Sequence, residues 1–106
     1  MAENYRRKLL DLPHPTEEQL WHHVVPVVGA KWREVATYLG LESHVITAVH
    51  VDQSSVEDNC LNALLRWMDG AGKQPKTWIT VLEAMRLAGF NEPARELEVK
   101  IRSNSL

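Results

Sequence analysis

Two pairs of side chains in this sequence have residue types that could bind a metal ion. Glu18 and His22 are four residues apart, which places both on one face of a helix, and His44 and His50 share another predicted helix. Six residues is the wrong spacing for a common helical face, and the sequence has neither a cysteine pair nor a His-Glu-x-x-His motif. We therefore expect no metal site and interpret the histidines as surface residues.

The single cysteine and one glycine-rich segment are the other candidates for chemistry. A cysteine nucleophile needs an exposed position and a basic neighbour, whereas Cys60 falls on the apolar face of a predicted helix. The segment Gly70-Ala71-Gly72-Lys73 is too short for a phosphate-binding loop. A serine nucleophile motif is also absent from the sequence. The sequence thus predicts a protein that is not an enzyme and that uses no cofactor or small-molecule substrate.

Composition indicates one small globular domain. The chain has 106 residues, of which 44% are hydrophobic and 25% are charged, as in an ordinary soluble domain with a single core. No apolar run approaches the roughly 20 residues that span a bilayer. The formal net charge of −2 gives no electrostatic reason for binding nucleic acid or an anionic membrane. A single cysteine cannot form an internal disulfide, which favours a reducing, cytoplasmic location.

Apolar residues spaced three and four apart predict six short helices. These helices must position any functional surface. Thr16 caps the first helix, and Pro26 should kink or end it. The second helix runs from about Lys31 to Leu39 and stops at Gly40, and the third runs from about Glu42 to Val51. No segment alternates with the period of a β-strand.

The last three helices have similar start and stop signals. Ser54 or Ser55 caps the fourth helix, Thr77 opens the fifth, Gly89 ends the fifth, and Asn91 caps the sixth. The apolar positions of the fifth helix are Trp78, Val81, Leu82, Met85 and Leu87. A flexible lead-in at residues 1–15 and a frayed end at residues 103–106 are expected on either side of a domain at residues 16–102.

The four tryptophans separate into two groups. Trp32, Trp67 and Trp78 fall on the apolar faces of their helices and are expected in the core. Trp21 lies off the main apolar stripe of the first helix, and Tyr38 has the same ambiguity on the second. We expect these two side chains to be partly exposed and available for a contact.

The order of these elements resembles that of a death domain. The residues that carry the resemblance are Trp32, Leu39-Gly40-Leu41, Ile46, Cys60, Leu64, Leu65, Trp67, Thr77-Trp78, Gly89-Phe90-Asn91, Ala94 and Leu97. They belong to a match that covers roughly Thr16 to Ile101, nearly the whole chain. The resemblance implies an all-α fold, a six-helix antiparallel bundle in a Greek-key arrangement. Pro26 departs from the family pattern because it can shorten the first helix.

The resemblance also implies a function. Death domains are non-enzymatic adaptor modules that bind other death domains, homotypically or heterotypically, and recruit them into signalling assemblies for apoptosis or innate-immune and NF-κB-type signal transduction. Family members use three asymmetric contacts. The first joins the face of helices one and four to helices two and three. The second joins helix four and its following loop to the corner between helices five and six, and the third joins helix three to the loops beside helices one and three. Such heterologous contacts propagate from molecule to molecule.

Charged residues on these expected surfaces form two pairs of candidate partner-binding patches. In the first pair, the acidic residues are Glu17, Glu18, Glu57 and Asp58, and the basic residues are Lys31 and Arg33. In the second pair, the basic residues are Lys73 and Lys76, and the acidic residues are Glu92 and Glu96. Opposite charges on surfaces that meet steer association and set partner choice. The alternative interpretation is that these are solvated charges that keep a small domain soluble, with acids placed in helix first turns by local preference.

A DNA-binding helix-turn-helix is the alternative function. Ala36, Gly40 and Ile46 have the spacing at which a small residue, a turn glycine and an apolar residue pack two such helices. The corresponding recognition helix begins Glu42-Ser43-His44 and contains no lysine or arginine. A DNA reader needs basic residues there for phosphate and base contacts. The sequence favours the interaction module and leaves the parent protein, its partner, the pathway outcome and the stoichiometry open.

Overall fold

The computed structural model describes residues 14–52, 55–71 and 75–106. Within these ranges the chain forms seven α-helices: α1 (Glu17–His23), α2 (Val25–Val28), α3 (Trp32–Tyr38), α4 (Ser43–Asp52), α5 (Val56–Arg66), α6 (Trp78–Leu87) and α7 (Asn91–Arg102). A 3₁₀ turn, Gly29–Lys31, joins α2 to α3, and a wide π-type turn, Trp67–Ala71, extends α5. The first predicted helix corresponds to α1 and α2 together, and the other five correspond to α3 through α7.

The first predicted helix is divided at Val24. Thr16 caps α1 as expected, because its side-chain oxygen accepts a hydrogen bond from the Gln19 backbone N–H at 3.1 Å. The Gln19 side chain in turn accepts from the Thr16 N–H at 3.1 Å, which completes a capping box. Pro26 is the second residue of the second segment, α2. Backbone N–H groups in the first turn of a helix have no acceptor within the helix, so the missing N–H of proline removes no helical hydrogen bond. The prediction that Pro26 interrupts this helix is confirmed.

Two of the predicted glycine stops have the same geometry. Gly40 has φ +90°, and the N–H of Leu41 donates to the Ala36 carbonyl at 3.1 Å. Gly89 has φ +98°, and the next N–H along the chain donates to the Met85 carbonyl at 2.8 Å. Both are Schellman endings, in which a left-handed residue lets the chain turn back and bond to the last helical carbonyls. Each ending sends the chain directly into the following helix.

Ser55 and Thr77 are confirmed as helix caps, whereas the predicted cap of the last helix is not. Ser55 caps α5 by accepting from the Asp58 N–H at 3.0 Å, and Thr77 caps α6. Asn91, however, is the first residue of α7, and the cap position is occupied by Phe90 without a side-chain hydrogen bond. The Phe90 carbonyl already accepts the Ala94 N–H at 3.1 Å, so α7 begins one residue before an Asn91 cap would allow.

Helix α5 packs against α1, α2, α3, α4 and the 3₁₀ turn, and so lies at the centre of the bundle. Helix α6 packs against α3 and α7. Trp67 and Trp78 are among the largest fully buried side chains, and Trp32 is also in the core, which confirms the prediction for all three. Large buried aromatic rings of this kind supply much of the apolar area that a small domain removes from water.

Trp21, Tyr38 and Leu87 are among the large apolar side chains that remain exposed on the surface. Trp21 and Tyr38 are 39% and 43% exposed, in agreement with their position off the main stripes. Leu87 is 64% exposed, so the expectation that it continues the apolar stripe of α6 is wrong. Leu87 is two residues after the fully buried Met85, and two residues rotate a side chain by about 200° around a helix. The sequence spacing therefore points Leu87 away from the core.

Candidate protein-interaction surfaces

The first basic patch lies at the start of α3. Lys31 ends the 3₁₀ turn and Arg33 is the second residue of α3, and both side chains are exposed. The Lys31 Nζ lies 5.9 Å from the centroid of the Phe90 ring, and the Arg33 guanidinium carbon lies 5.5 Å from the Trp32 ring. These are distances at which a cation is attracted to an aromatic face. Both cations of this patch are therefore placed over rings that the fold holds in position.

The acidic patch of the first pair comes from two helix N-termini. Glu17 and Glu18 lie in the first turn of α1, and Glu57 and Asp58 lie in the first turn of α5. All four side chains are exposed, and α1 packs against α5. Carboxylates in a first turn also stabilise the helix through its dipole, so each has a local role as well as an available charge.

The second basic patch is only partly described, because Lys73 lies outside the described residues. Lys76 is half-buried, and its Nζ lies 5.6 Å from the centroid of the buried Trp67 ring. Its backbone carbonyl accepts a hydrogen bond from the Nδ1–H of His14. The next residue, Pro15, is fully buried. Sequence reasoning missed this contact, since no local signal relates His14 to Lys76.

The acidic patch of the second pair begins at the corner between α6 and α7. Glu92 and Glu96 are exposed on successive turns of α7. Glu92 forms an ion pair with Arg95 at 2.8 Å, with both side chains largely exposed. The sequence interpretation did not include Arg95, although the i,i+3 spacing is a recognisable signal. Arg95 offsets the negative charge of Glu92. Glu96 is the other acidic residue of this patch.

The thiol of Cys60 lies in the core, as its position on the apolar face of α5 predicts. Burial raises the pKa of this thiol to about 12, and the nearby charge of Glu57 acts in the same direction. The thiol is therefore protonated at neutral pH. A protonated, buried thiol is a poor nucleophile because the thiolate is the reactive form.

Two of the exposed histidines, His22 and His44, each contact a carboxylate on their own segment. His22 lies 4.0 Å from Glu18, and His44 lies 3.3 Å from Glu42. Among the residues for which side chains are described, no group of three His, Cys, Asp or Glu residues has the arrangement to hold a metal ion. The side chain of His50 lies outside the described residues. Within the described ranges, none of the helices has the length and apolar character to cross a bilayer.

The architecture that emerges is an all-α bundle with a tryptophan-rich core and charged helix ends on its surface. The family model described as the death domain matches residues 8–98 of the chain. Because this match covers most of the sequence, the chain belongs to the death domain family, and the predicted death fold is confirmed. Death domains are protein–protein interaction modules. Searches of curated proteins and of solved structures return no match.

Proposed function

We propose that this death domain recruits partner death domains into a signalling assembly through the two pairs of oppositely charged patches. The observation that carries the proposal is the first pair, in which Lys31 and Arg33 are exposed over aromatic rings and four acidic residues project from two helix starts. Two patches of opposite charge on one chain suit a heterologous contact, in which each molecule uses one patch for the molecule ahead and the other for the molecule behind.

Individual contacts of this kind are weak, and several of them together are needed to hold an assembly. An exposed ion pair contributes about 0.2–1 kcal/mol, which cannot hold two domains together by itself. A subunit that engages several neighbours at once adds these contributions within one complex. The assembly should therefore form cooperatively above a threshold concentration and should weaken as salt screens the charges.

The biological setting we propose is cytoplasmic signalling for apoptosis or for innate-immune and NF-κB-type responses. In that setting the assembly brings together copies of an effector such as a caspase or a kinase, carried by the partner protein. The single cysteine, Cys60, is compatible with a reducing compartment. We assign the interaction module to residues 16–102 and a lead-in to residues 1–15. Of the lead-in, His14 bonds to the Lys76 carbonyl and Pro15 is buried.

Helix-turn-helix DNA binding is the other function that the sequence suggests. The structure does contain the two helices, α3 and α4, joined by a turn at Gly40. The start of α4 exposes Glu42, Ser43 and His44, and the Glu42 carboxylate lies 3.3 Å from His44. An acidic helix start repels the phosphate backbone. We therefore favour the protein-interaction function, and the α3–α4 pair serves as part of the bundle.

The experiment that tests the proposal is sedimentation velocity of the purified chain over a concentration series at low and moderate salt. Association that grows with concentration and decreases with salt is the expected result. Arg33→Glu and Glu57→Lys should each reduce association. Both side chains are exposed, so Arg33→Glu should leave the thermal unfolding midpoint nearly unchanged, and Glu57→Lys should lower it only slightly, through the loss of a first-turn acid. Glu83→Lys is the matched control, since Glu83 is an exposed acid on α6 outside the patches.

The double variant Arg33→Glu with Glu57→Lys gives the sharpest outcome. If the two residues meet between molecules, swapping both charges restores an attractive pair and recovers much of the association. Unchanged association in both single variants would show that the first pair of patches does not mediate the contact. A wild-type chain that stays monomeric directs the search to a different death domain as the partner, with the same variants as probes.

A further inference from the structure

Phe90 connects two surfaces that are distant in the sequence. It lies in the short link between α6 and α7, two positions before Glu92. The Lys31 side chain, from the turn before α3, places its Nζ 5.9 Å from the centre of the Phe90 ring. The basic patch of the first pair and the acidic corner of the second therefore meet at one aromatic side chain.

The Phe90 ring is a fixed support. Its backbone N–H is hydrogen-bonded to the Met85 carbonyl at 2.8 Å, and its side chain packs against the core while remaining half-buried. A lysine side chain in water samples many rotamers, and association that fixes it loses that entropy. A lysine attracted to a ring already favours a limited set of rotamers before any partner arrives. The free domain thus presents the ammonium group near its bound position.

We propose that Phe90 is a positioning residue that presents the Lys31 ammonium group to a carboxylate on a second copy of this chain. The inference rests on the proposed function, because it assigns Lys31 to a contact between death domains. The acceptors are Glu57 and Asp58, which are exposed carboxylates in the first turn of α5. Glu92, on the same corner as Phe90, is already paired with Arg95 at 2.8 Å.

Arg33 and Trp32 show the same arrangement, with the guanidinium carbon 5.5 Å from the ring. Trp32 is buried in the core, so changing it would alter the fold as well as the position of the cation. Phe90 is half-buried at a helix link and can be replaced by leucine, which keeps apolar volume but removes the aromatic face. Phe90 is therefore the residue at which positioning can be separated from folding.

The first measurement is NMR of the chain at a concentration where it is monomeric. Protons of the Lys31 side chain next to the ammonium group should be shifted upfield by the Phe90 ring. Phe90→Leu should remove this shift, and Phe90→Tyr should keep it, because tyrosine retains the aromatic face. An unchanged amide spectrum away from the corner shows that each variant is folded. Lys31 shifts that are the same in Phe90→Leu and in the wild type would overturn the inference.

The second measurement is self-association of the same variants by sedimentation velocity at low salt. Phe90→Leu should weaken each contact by about two- to fivefold, to the same extent as Lys31→Gln or less. Adding Phe90→Leu to Lys31→Gln should cause no further weakening, since the ring then has no cation to position. Phe90→Tyr should associate like the wild type. Equal weakening by Phe90→Leu in both backgrounds would overturn the inference, because the ring would then act without Lys31.

The two proposals fail in different ways. If Lys31→Gln weakens association but Phe90→Leu does not, positioning by Phe90 is wrong and the charged-patch function stands. If Lys31→Gln, Arg33→Glu and Glu57→Lys all leave association unchanged, the first pair of patches is also wrong. A wild-type chain that is monomeric at every concentration overturns the inference, since the carboxylates it names belong to a second copy.

Discussion

The guanidinium of Arg86 donates a hydrogen bond to the Glu98 carboxylate at 3.2 Å, and this ion pair joins α6 to α7. The Glu98 side chain is only 16% exposed, whereas both side chains of the Glu92–Arg95 pair are largely exposed. Water screens a partly buried pair less than an exposed one, and a partner left alone there loses solvation without compensation. The pair therefore helps to set how α7 lies against the bundle, and with it the corner that carries Phe90 and Glu92.

Removing one member of this pair should destabilise the domain. We expect Arg86→Met to lower the free energy of unfolding by about 1–2 kcal/mol, because the Glu98 carboxylate then lacks its charged donor. Urea denaturation followed by tryptophan fluorescence measures this loss. The matched control is Arg95→Met, which breaks the exposed pair with Glu92 and should cost less than about 1 kcal/mol. Equal losses in the two variants would show that burial of Glu98 contributes nothing.

Trp32 should be far more important for stability than Trp21. Trp32 is 4% exposed, and removing a core aromatic ring costs about 3–5 kcal/mol, so Trp32→Ala should strongly lower the unfolding midpoint or prevent folding. Trp21 is 39% exposed, and Trp21→Ala should cost about 1 kcal/mol. Thermal denaturation followed by circular dichroism compares them. A melting temperature unchanged by Trp32→Ala would contradict the packing described here.

The buried thiol of Cys60 should make stability depend on alkaline pH. Its pKa rises from an ordinary value of 9.0 to about 12 on folding, so the folded state holds this proton more tightly than the unfolded state. This contribution is fully present below pH 9.0 and is lost as the pH rises towards 12. Cys60→Ala should remove that part of the decline, while the other titrating groups act equally in both proteins.

Thiol reactivity provides an independent check on Cys60. In the folded protein at pH 8, a disulfide reagent should react with Cys60 only as fast as the domain opens, because the thiol is buried and protonated. In denaturant the same reagent should react at the rate of a free cysteine. Rapid modification of the folded protein would show that this thiol is accessible.

Local signals made most of the fold predictable, and the errors at Leu87 and at the Asn91 cap are local as well. A cap such as Ser55 or a stop such as Gly40 works through hydrogen bonds within a few residues, so its side-chain chemistry is readable from the sequence. Leu87 was misplaced because an apolar residue near a helix end was assigned to the stripe without regard to its angle around α6. The angle of Leu87 around the helix follows from helical geometry alone, so its exposure could have been predicted from the sequence.

The candidate site was less predictable than the fold. Residue type and helix position identified Lys31 and Arg33 as exposed cations, as the structure has them. The contact of Lys31 with Phe90, however, depends on how the turn before α3 meets the α6–α7 link. The hydrogen bond between His14 and the Lys76 carbonyl likewise depends on tertiary packing. Such pairings have no sequence period, because they are set by the arrangement of whole helices.

His23 should make the domain less stable in acid. Burial lowers the pKa of its imidazole from an ordinary value of 6.5, and the neighbouring charges of Lys100 and His22 act in the same direction. The unfolded state therefore binds this proton more readily, so the contribution is fully present above pH 6.5 and is lost as the pH falls below it. Urea denaturation over this range should show a shallower decline for His23→Gln than for the wild type. His22→Gln is the matched control, because the His22 side chain is exposed, and this variant should keep most of the decline.

In Lys100→Gln, NMR titration should find the His23 pKa higher than in the wild type, since one repelling charge is gone. An unchanged His23 pKa in that variant would show that the charge of Lys100 does not contribute to the shift.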